Sequence, residues 1–185
     1  MHRNLKIALF GVFFSFMIHT GLQAQDQQAK INWMSIEEAE ALSRTEPRKI
    51  FVDVYTDWCS WCRRMSSETF THPVIIEYIN RHFYAVKLNA EQTDPIVFRG
   101  TTYENENIGQ RRATHSFAIA LLRGRMSYPS VAFFDEDLNL ITAIPGFRPP
   151  DKMEAMLSFF KNDVFKDDAD LDAYMSSFKG QIGSN

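Results

Sequence analysis

Apolar positions along the chain change period several times, and each change marks an element. Around residues 35–45, Ile36, Ala39 and Leu42 recur at helical spacing, and Ser35 with Glu38 three residues on is a capping box, so a short helix is predicted. "IFVDVYT" (50–56) is a continuous β-rich run and predicts a buried strand. The pattern turns helical at "CSWCRRMSSETF". It restarts at "THPVIIEYINRHF", with Pro73 in the first turn, where a missing N–H does no harm. "YAVKLNA" is a second strand. Residues 91–127 begin polar and irregular: "GTTYENENIGQ" fits a short hairpin or a loop, and "ATHSFAIALLRG" a helix closed by Gly124. "SVAFFD" and "NLITAIP" flank the turn "DEDLN" as a β-hairpin. "PPDKMEAMLSFFKN" is an amphipathic helix with Met153, Met156, Leu157 and Phe160 on one side, and "DADLDAYMSSF" is a last helix packed outside. The order β, α, β, α, β, β, α predicts an α/β fold with helices on both faces of one sheet.

The N-terminus has its own pattern. Arg3 and Lys6 precede an apolar run over 7–18, and small and polar residues follow up to Ala24, the three-part form of a secretory signal peptide. A membrane anchor is the alternative, but the run falls short of the ~20 residues that cross a bilayer. Cleavage is expected after Ala24, and no cysteine near it offers a lipid anchor. Removing Arg3 and Lys6 from the 20 basic residues leaves 18 against 23 acidic ones. The 185 residues, 45 % hydrophobic with 16 phenylalanines, suffice for one domain with a proper core. A net charge of -3 with scattered Lys and Arg gives no sign of nucleic-acid binding.

Chemistry concentrates at "DWCSWCRRM". Cys59 and Cys62 are the only cysteines. In an exported protein a structural bridge is one reading, but so short a loop removes little entropy from the unfolded chain. Zinc is another. It wants four ligands, and His72, His82 and His115 are widely spaced. His72 reads as a helix-cap neighbour of Pro73, and His82 and His115 as surface or half-buried residues. The third reading is redox exchange. A thiol attacks only as the thiolate. A strand ending at Thr56 and a helix starting near Cys59 put that cysteine at a helix N-terminus, which acidifies it. Cys62 lies a turn further on, close enough to bridge, and is expected to be less exposed.

"FVDVYTDWCSWCRRM" resembles the active-site strand, turn and helix of thioredoxin-fold proteins. "AVKLNAEQ" is similar to that family's next strand, "SYPSVAFFD" to its cis-proline loop and following strand, and Gly146 in "IPGF" to a glycine after the last hairpin. The form "WC-x-WC-RRM" looks most like exported thioredoxin-like proteins of the Bacteroidetes type, and like the periplasmic thioredoxin-like domain of a transmembrane electron conductor. The resemblance covers about 31–162. It implies a thioredoxin fold with a central mixed sheet, an insertion before the cis-proline strand and an extra C-terminal helix. The chain then divides into a signal peptide (1–24), a linker (25–30), a thioredoxin-like domain (31–162) and a helical extension (163–185).

The resemblance also implies roles. Cys59 attacks and Cys62 resolves, with no metal or other cofactor beyond their redox-active disulfide. Ser60 and Trp61 replace the Gly-Pro of cytoplasmic thioredoxin, and these residues tune the reduction potential. Trp58 offers an apolar contact to substrate or is plain core, Trp61 sits on the exposed turn, and a cis Tyr128–Pro129 bond frees the Tyr128 backbone to pair with a substrate strand. Lys87 pairs with a buried acid or is a surface strand lysine. Alternation puts Phe51, Asp53 and Tyr55 on one face. An acid between aromatics is costly for packing alone, and thioredoxins carry an aspartate at this offset from the first cysteine. Asp53 is therefore expected to have a raised pKa and to act as the base for Cys62. The expected function is an exported, periplasmic thiol–disulfide oxidoreductase acting reductively on protein cysteine pairs and served by a membrane or periplasmic redox partner. The alternatives are an oxidase or isomerase of the same fold, or a non-catalytic binding or chaperone module.

Overall fold

The computed structural model describes residues 29–183, so the expected signal peptide and most of the linker after it lie outside the described residues. Seven strands and six helices follow the predicted order with one addition. They are β1 (Trp33–Met34), α1 (Ile36–Thr45), β2 (Ile50–Tyr55), α2 (Ser60–Arg64), α3 (Pro73–His82), β3 (Tyr84–Asn89), β4 (Ile96–Phe98), β5 (Thr101–Tyr103), α4 (Ser116–Leu121), β6 (Ser130–Phe134), β7 (Leu140–Pro145), α5 (Pro150–Lys161) and α6 (Leu171–Ser177). The addition is β1, two residues long and too short to leave a periodic trace. The main sheet runs β1-β3-β2-β6-β7. β1, β3 and β2 are parallel, β6 runs antiparallel to β2, and β7 runs antiparallel to β6. This is a thioredoxin-fold α/β architecture with helices on both faces and an extra C-terminal helix.

Alternation along β2 divides the core in two. Ile50, Val52 and Val54 pack with Ile36 and Ala39 of α1 and Phe117, Ala118 and Leu121 of α4. Phe51 faces the other way, among Met65, Phe70, Ile75, Ile79, Phe133, Met156 and Phe160. Phe51 contacts the rings of Trp33, Phe70, Phe83 and Phe133, and Phe133 stacks on Phe160 at 4.1 Å.

Helix α1 has its capping box, Ser35 Oγ accepting from Glu38 N–H and Glu38 Oε2 from Ser35 N–H. Its covered face differs from the expected one. Leu42 is exposed, whereas Glu40 and Ser43 are buried. The reason is the β4–β5 hairpin, which docks by polar contacts: Glu37 Oε1 accepts from Val97 N–H and Glu40 Oε2 from Arg99 N–H. That hairpin turns at Arg99–Gly100, upstream of the point expected, and 104–115 is loop.

Helix α5 is buried on two sides. Its apolar side meets the sheet. Its polar side is covered by the C-terminal extension, where Ser158 Oγ lies 3.1 Å from Tyr174 Oη and Glu154 accepts the N–H groups of Gln181 and Ile182. A Cβ on Gly180 would meet Glu154 Oε2 at 2.3 Å, so a larger residue there would displace the carboxylate that holds the extension. At the start of β2, Lys49 is buried with its Nζ 2.7 Å from Glu136 Oε1 and 3.0 Å from Asp163 Oδ1. No helix among the described residues is long and apolar enough to cross a membrane.

Candidate active site

Strand β2 ends at Tyr55 and α2 begins at Ser60, which makes Cys59 the N-cap. Cys59 Sγ accepts the Cys62 N–H at 3.0 Å, one of the donors a helix start leaves unpaired. Cys59 and Cys62 form a disulfide, with Cα atoms 5.2 Å apart. The expected difference in exposure is absent: Cys59 is 5 % and Cys62 4 % exposed, because the bridge holds both sulfurs under the same cover. They differ in what they face. Cys62, not Cys59, lines a cleft of about 430 Å³ with Tyr55, Arg63, Ser66 and Lys87. After α2 the chain widens into a π-type turn, Met65–Thr69, and Ser66 on that turn accepts a hydrogen bond from Lys87 Nζ at 3.1 Å.

Asp53 and Lys87 are register partners in β2 and β3. Asp53 Oδ2 lies 3.5 Å from Lys87 Nζ, and the carboxylate is buried with Oδ1 unpaired among the described residues. Burial pushes its pKa up from 3.8 to about 6, against the opposing pull of the Lys87 charge. Lys87 is held over the rings of Trp33 and Tyr55 at 5.1 and 5.2 Å. Of its two readings, the structure shows the pair with the buried acid.

Two aromatic stations flank the disulfide. On one side Trp58, 46 % exposed, meets the Tyr128 ring edge-on at 6.0 Å. Its Nε1–H donates to Glu91 Oε1 at 2.9 Å, and the Arg112 guanidinium lies 4.2 Å from its ring centroid. Trp58 is therefore not core. The Tyr128–Pro129 bond is cis, Tyr128 is half-buried and Pro129 is buried, and the Pro129 carbonyl accepts from Gly146 N–H at 2.7 Å. On the other side Trp61, 52 % exposed, packs on Phe147 at 5.5 Å, with Arg64 over both rings.

The structure thus joins Cys59 to Cys62, sets Cys62 and Lys87 on one cleft and pairs Lys87 with Asp53, and it sets Trp58 with Tyr128 apart from Trp61. Sequence reasoning missed Glu91 and Arg112, which sit in irregular segments without a periodic signal, and Ser66, whose turn reads as plain helix. It also misjudged His115. That residue is fully buried and caps α4, its Nδ1 accepting from Phe117 N–H at 3.1 Å, and burial lowers its pKa. The His72 side chain caps α3 in the same way through Val74 N–H. Among the described residues no cluster of three His, Cys, Asp or Glu side chains is placed to hold a metal ion.

The thioredoxin-like domain family matches residues 36–161, and the chain belongs to that family. Its fold is similar to that of a thioredoxin-fold protein from Helicobacter pylori (19 % identical, 70 % of this chain and 83 % of that one, TM-score 0.53). It is also similar to a thioredoxin from Thermus thermophilus (16 % identical, 74 % and 88 %, TM-score 0.50). Among curated proteins it is similar to an uncharacterized Caenorhabditis elegans protein, 26 % identical over 123 residues. That match takes in 66 % of this chain but 15 % of the relative's length.

Proposed function

We propose that this protein is an exported thiol–disulfide oxidoreductase that reduces cysteine pairs in other proteins. The observation that carries the reading is the asymmetry of the pair: Cys59 caps a helix, and Cys62 opens on a cleft lined by Lys87, whose ammonium lies 3.5 Å from the buried Asp53 carboxylate. In the reduced protein the Cys59 thiolate attacks one sulfur of a target disulfide, and the other leaves as a thiolate. Asp53, buried behind Lys87, takes the Cys62 proton. Cys62 then attacks Cys59 Sγ, releasing the second target sulfur and leaving the Cys59–Cys62 disulfide. Two electrons must return from a redox partner, which export would place in the periplasm or its membrane.

The reductive direction is supported by what surrounds Cys59. Strong oxidants owe their potential to a stabilised reduced form. Here one N–H, and no cationic side chain, hydrogen-bonds Cys59 Sγ among the described residues. Export is supported by the N-terminal sequence. Two measurements test the reading. Reduced protein should turn over insulin disulfides, and Cys59→Ser should not. The couple should lie near the ~-270 mV of a reductant, not the ~-120 mV of a strong oxidant. In cells Cys62→Ser should collect mixed disulfides through Cys59. A protein without insulin turnover, fixed in one redox state, is a binding module.

A further inference from the structure

The insertion between β3 and the cis-proline loop reaches the cysteine face through two side chains, Glu91 and Arg112, and both end on Trp58. Glu91 is spent on the indole N–H. Arg112 is different. It is exposed, has a left-handed backbone at φ 60°, and lies on the indole face. The other arginines around the disulfide are engaged: Arg63 donates to the Asp57 carbonyl, Arg64 pairs with Glu68, and Arg148 donates to the Phe147 carbonyl. The Arg112 guanidinium donates no hydrogen bond and has no carboxylate within ion-pair distance among the described residues. A guanidinium stacked on an aromatic keeps its planar fork of N–H donors free at the edge, in the geometry that carboxylates take up.

We propose that Arg112 is a specificity-determining residue: stacked on Trp58, it offers its free N–H fork to a docked target and selects protein segments with a carboxylate next to the reacting cysteine. This rests on the oxidoreductase reading and names the substrate class of that same site. Glu91 accepts the Trp58 indole N–H, and Asp57 precedes the tryptophan in the chain. They disfavour an acidic target, so the preference depends on Arg112 and should sharpen when Glu91 is neutralised.

The test uses the reduced full-length protein and three disulfide peptides that differ only in a Glu, Gln or Lys beside the cysteine. The Glu peptide should be reduced about threefold faster than the Gln peptide at low ionic strength, the size of an exposed ion pair. The gap should close at about 0.5 M salt. Arg112→Gln should abolish the preference, Arg112→Lys should keep part of it, Arg112→Glu should favour the Lys peptide, and Glu91→Gln should widen the gap. Reaction with neutral hydroxyethyl disulfide should be the same for wild type and all Arg112 variants. Equal peptide rates in the wild type, or a preference that survives Arg112→Gln, overturn this inference and leave the oxidoreductase reading intact. If the wild type reduces no peptide, both fall.

Discussion

The Lys49 ammonium at the start of β2 and the Asp53 carboxylate four residues along are both buried, yet their surroundings treat them in opposite ways. Lys49 has two carboxylates, at 2.7 and 3.0 Å. Burial alone would lower its pKa, but Glu136 and Asp163 outweigh that and raise it. Asp53 has one ammonium at 3.5 Å and an unpaired oxygen, and burial wins, taking its pKa up to about 6. A buried charge that is fully answered is fixed in its ordinary state and serves the fold. One that is half answered sits near its titration point at neutral pH and is available to move a proton. A fully paired charge therefore precedes this strand and a half-paired one, held near its titration point, lies within it, with the cysteines beyond the second.

Removing the half-answered charge should have the largest effect. A carboxyl whose folded pKa exceeds its unfolded value contributes stability below the unfolded pKa and loses it as pH rises through the folded one. Asp53→Asn should therefore stabilise the oxidised protein more at pH 8 than at pH 4, by about 2 kcal/mol for a rise from 3.8 to about 6. Its disulfide turnover near pH 7 should fall about a hundredfold, the scale of a lost general base. Denaturant unfolding across that range and a pH–rate profile check both. Wild-type turnover in the Asn variant would remove Asp53 as the base.

Lys87→Met takes away the one charge that opposes burial at Asp53. The Asp53 pKa should rise further, moving the acidic limb of the pH–rate profile toward alkaline pH and slowing turnover about threefold at pH 7. An unmoved limb would mean that the limb does not report Asp53.

Lys49→Met should show the smallest effect and a different form. Its two carboxylates are partly exposed and can rehydrate, so the loss should be about 1 kcal/mol. Stability from a raised lysine is present below its unfolded pKa and is lost only as pH rises through the folded one. The depressed Asp163 contributes above its unfolded pKa and loses this only as pH falls through its folded one. The penalty should thus be flat between pH 5 and 8, with turnover unchanged. A penalty varying over that window would erase the contrast between the two charges.

Of this site, the part on regular elements was legible in the sequence. Asp53 declared itself as an acid inside an apolar strand, Lys87 as its counterpart on the next strand, and Cys59 by the strand-to-helix change that makes it a cap. The sheet, its hairpin and most helix positions followed from periodicity for the same reason. What escaped depends on contacts distant in sequence. The exposed Leu42 and buried Glu40 follow from a hairpin that binds α1 through carboxylates, so apolar spacing pointed to the wrong stripe. His115 is buried because its imidazole serves as a cap, a use that hydrophobicity does not record. Glu91 and Arg112 lie 21 residues apart on irregular backbone, and only their convergence on one indole gives them a shared role.

The insertion leaves the sheet at Ala90 and is pinned where it returns, with His115 N–H donating to the Ala90 carbonyl at 2.8 Å. The β4–β5 hairpin inside it is held by α1 and the core, but the loop beyond is stapled again, with Ser116 N–H donating to the Glu104 carbonyl at 3.0 Å and Asn105 Nδ2 to the Ala113 carbonyl at 2.9 Å, so 106–112 can change length or sequence without shifting the hairpin, β3 or the cis-proline loop. Loop closure penalises such changes weakly, by about 0.6 kcal/mol per doubling of length. The segment 106–112 is therefore a graftable cassette. Transplanting it onto another scaffold of this fold that carries a tryptophan at the Trp58 position should carry over the Arg112 contact on that indole.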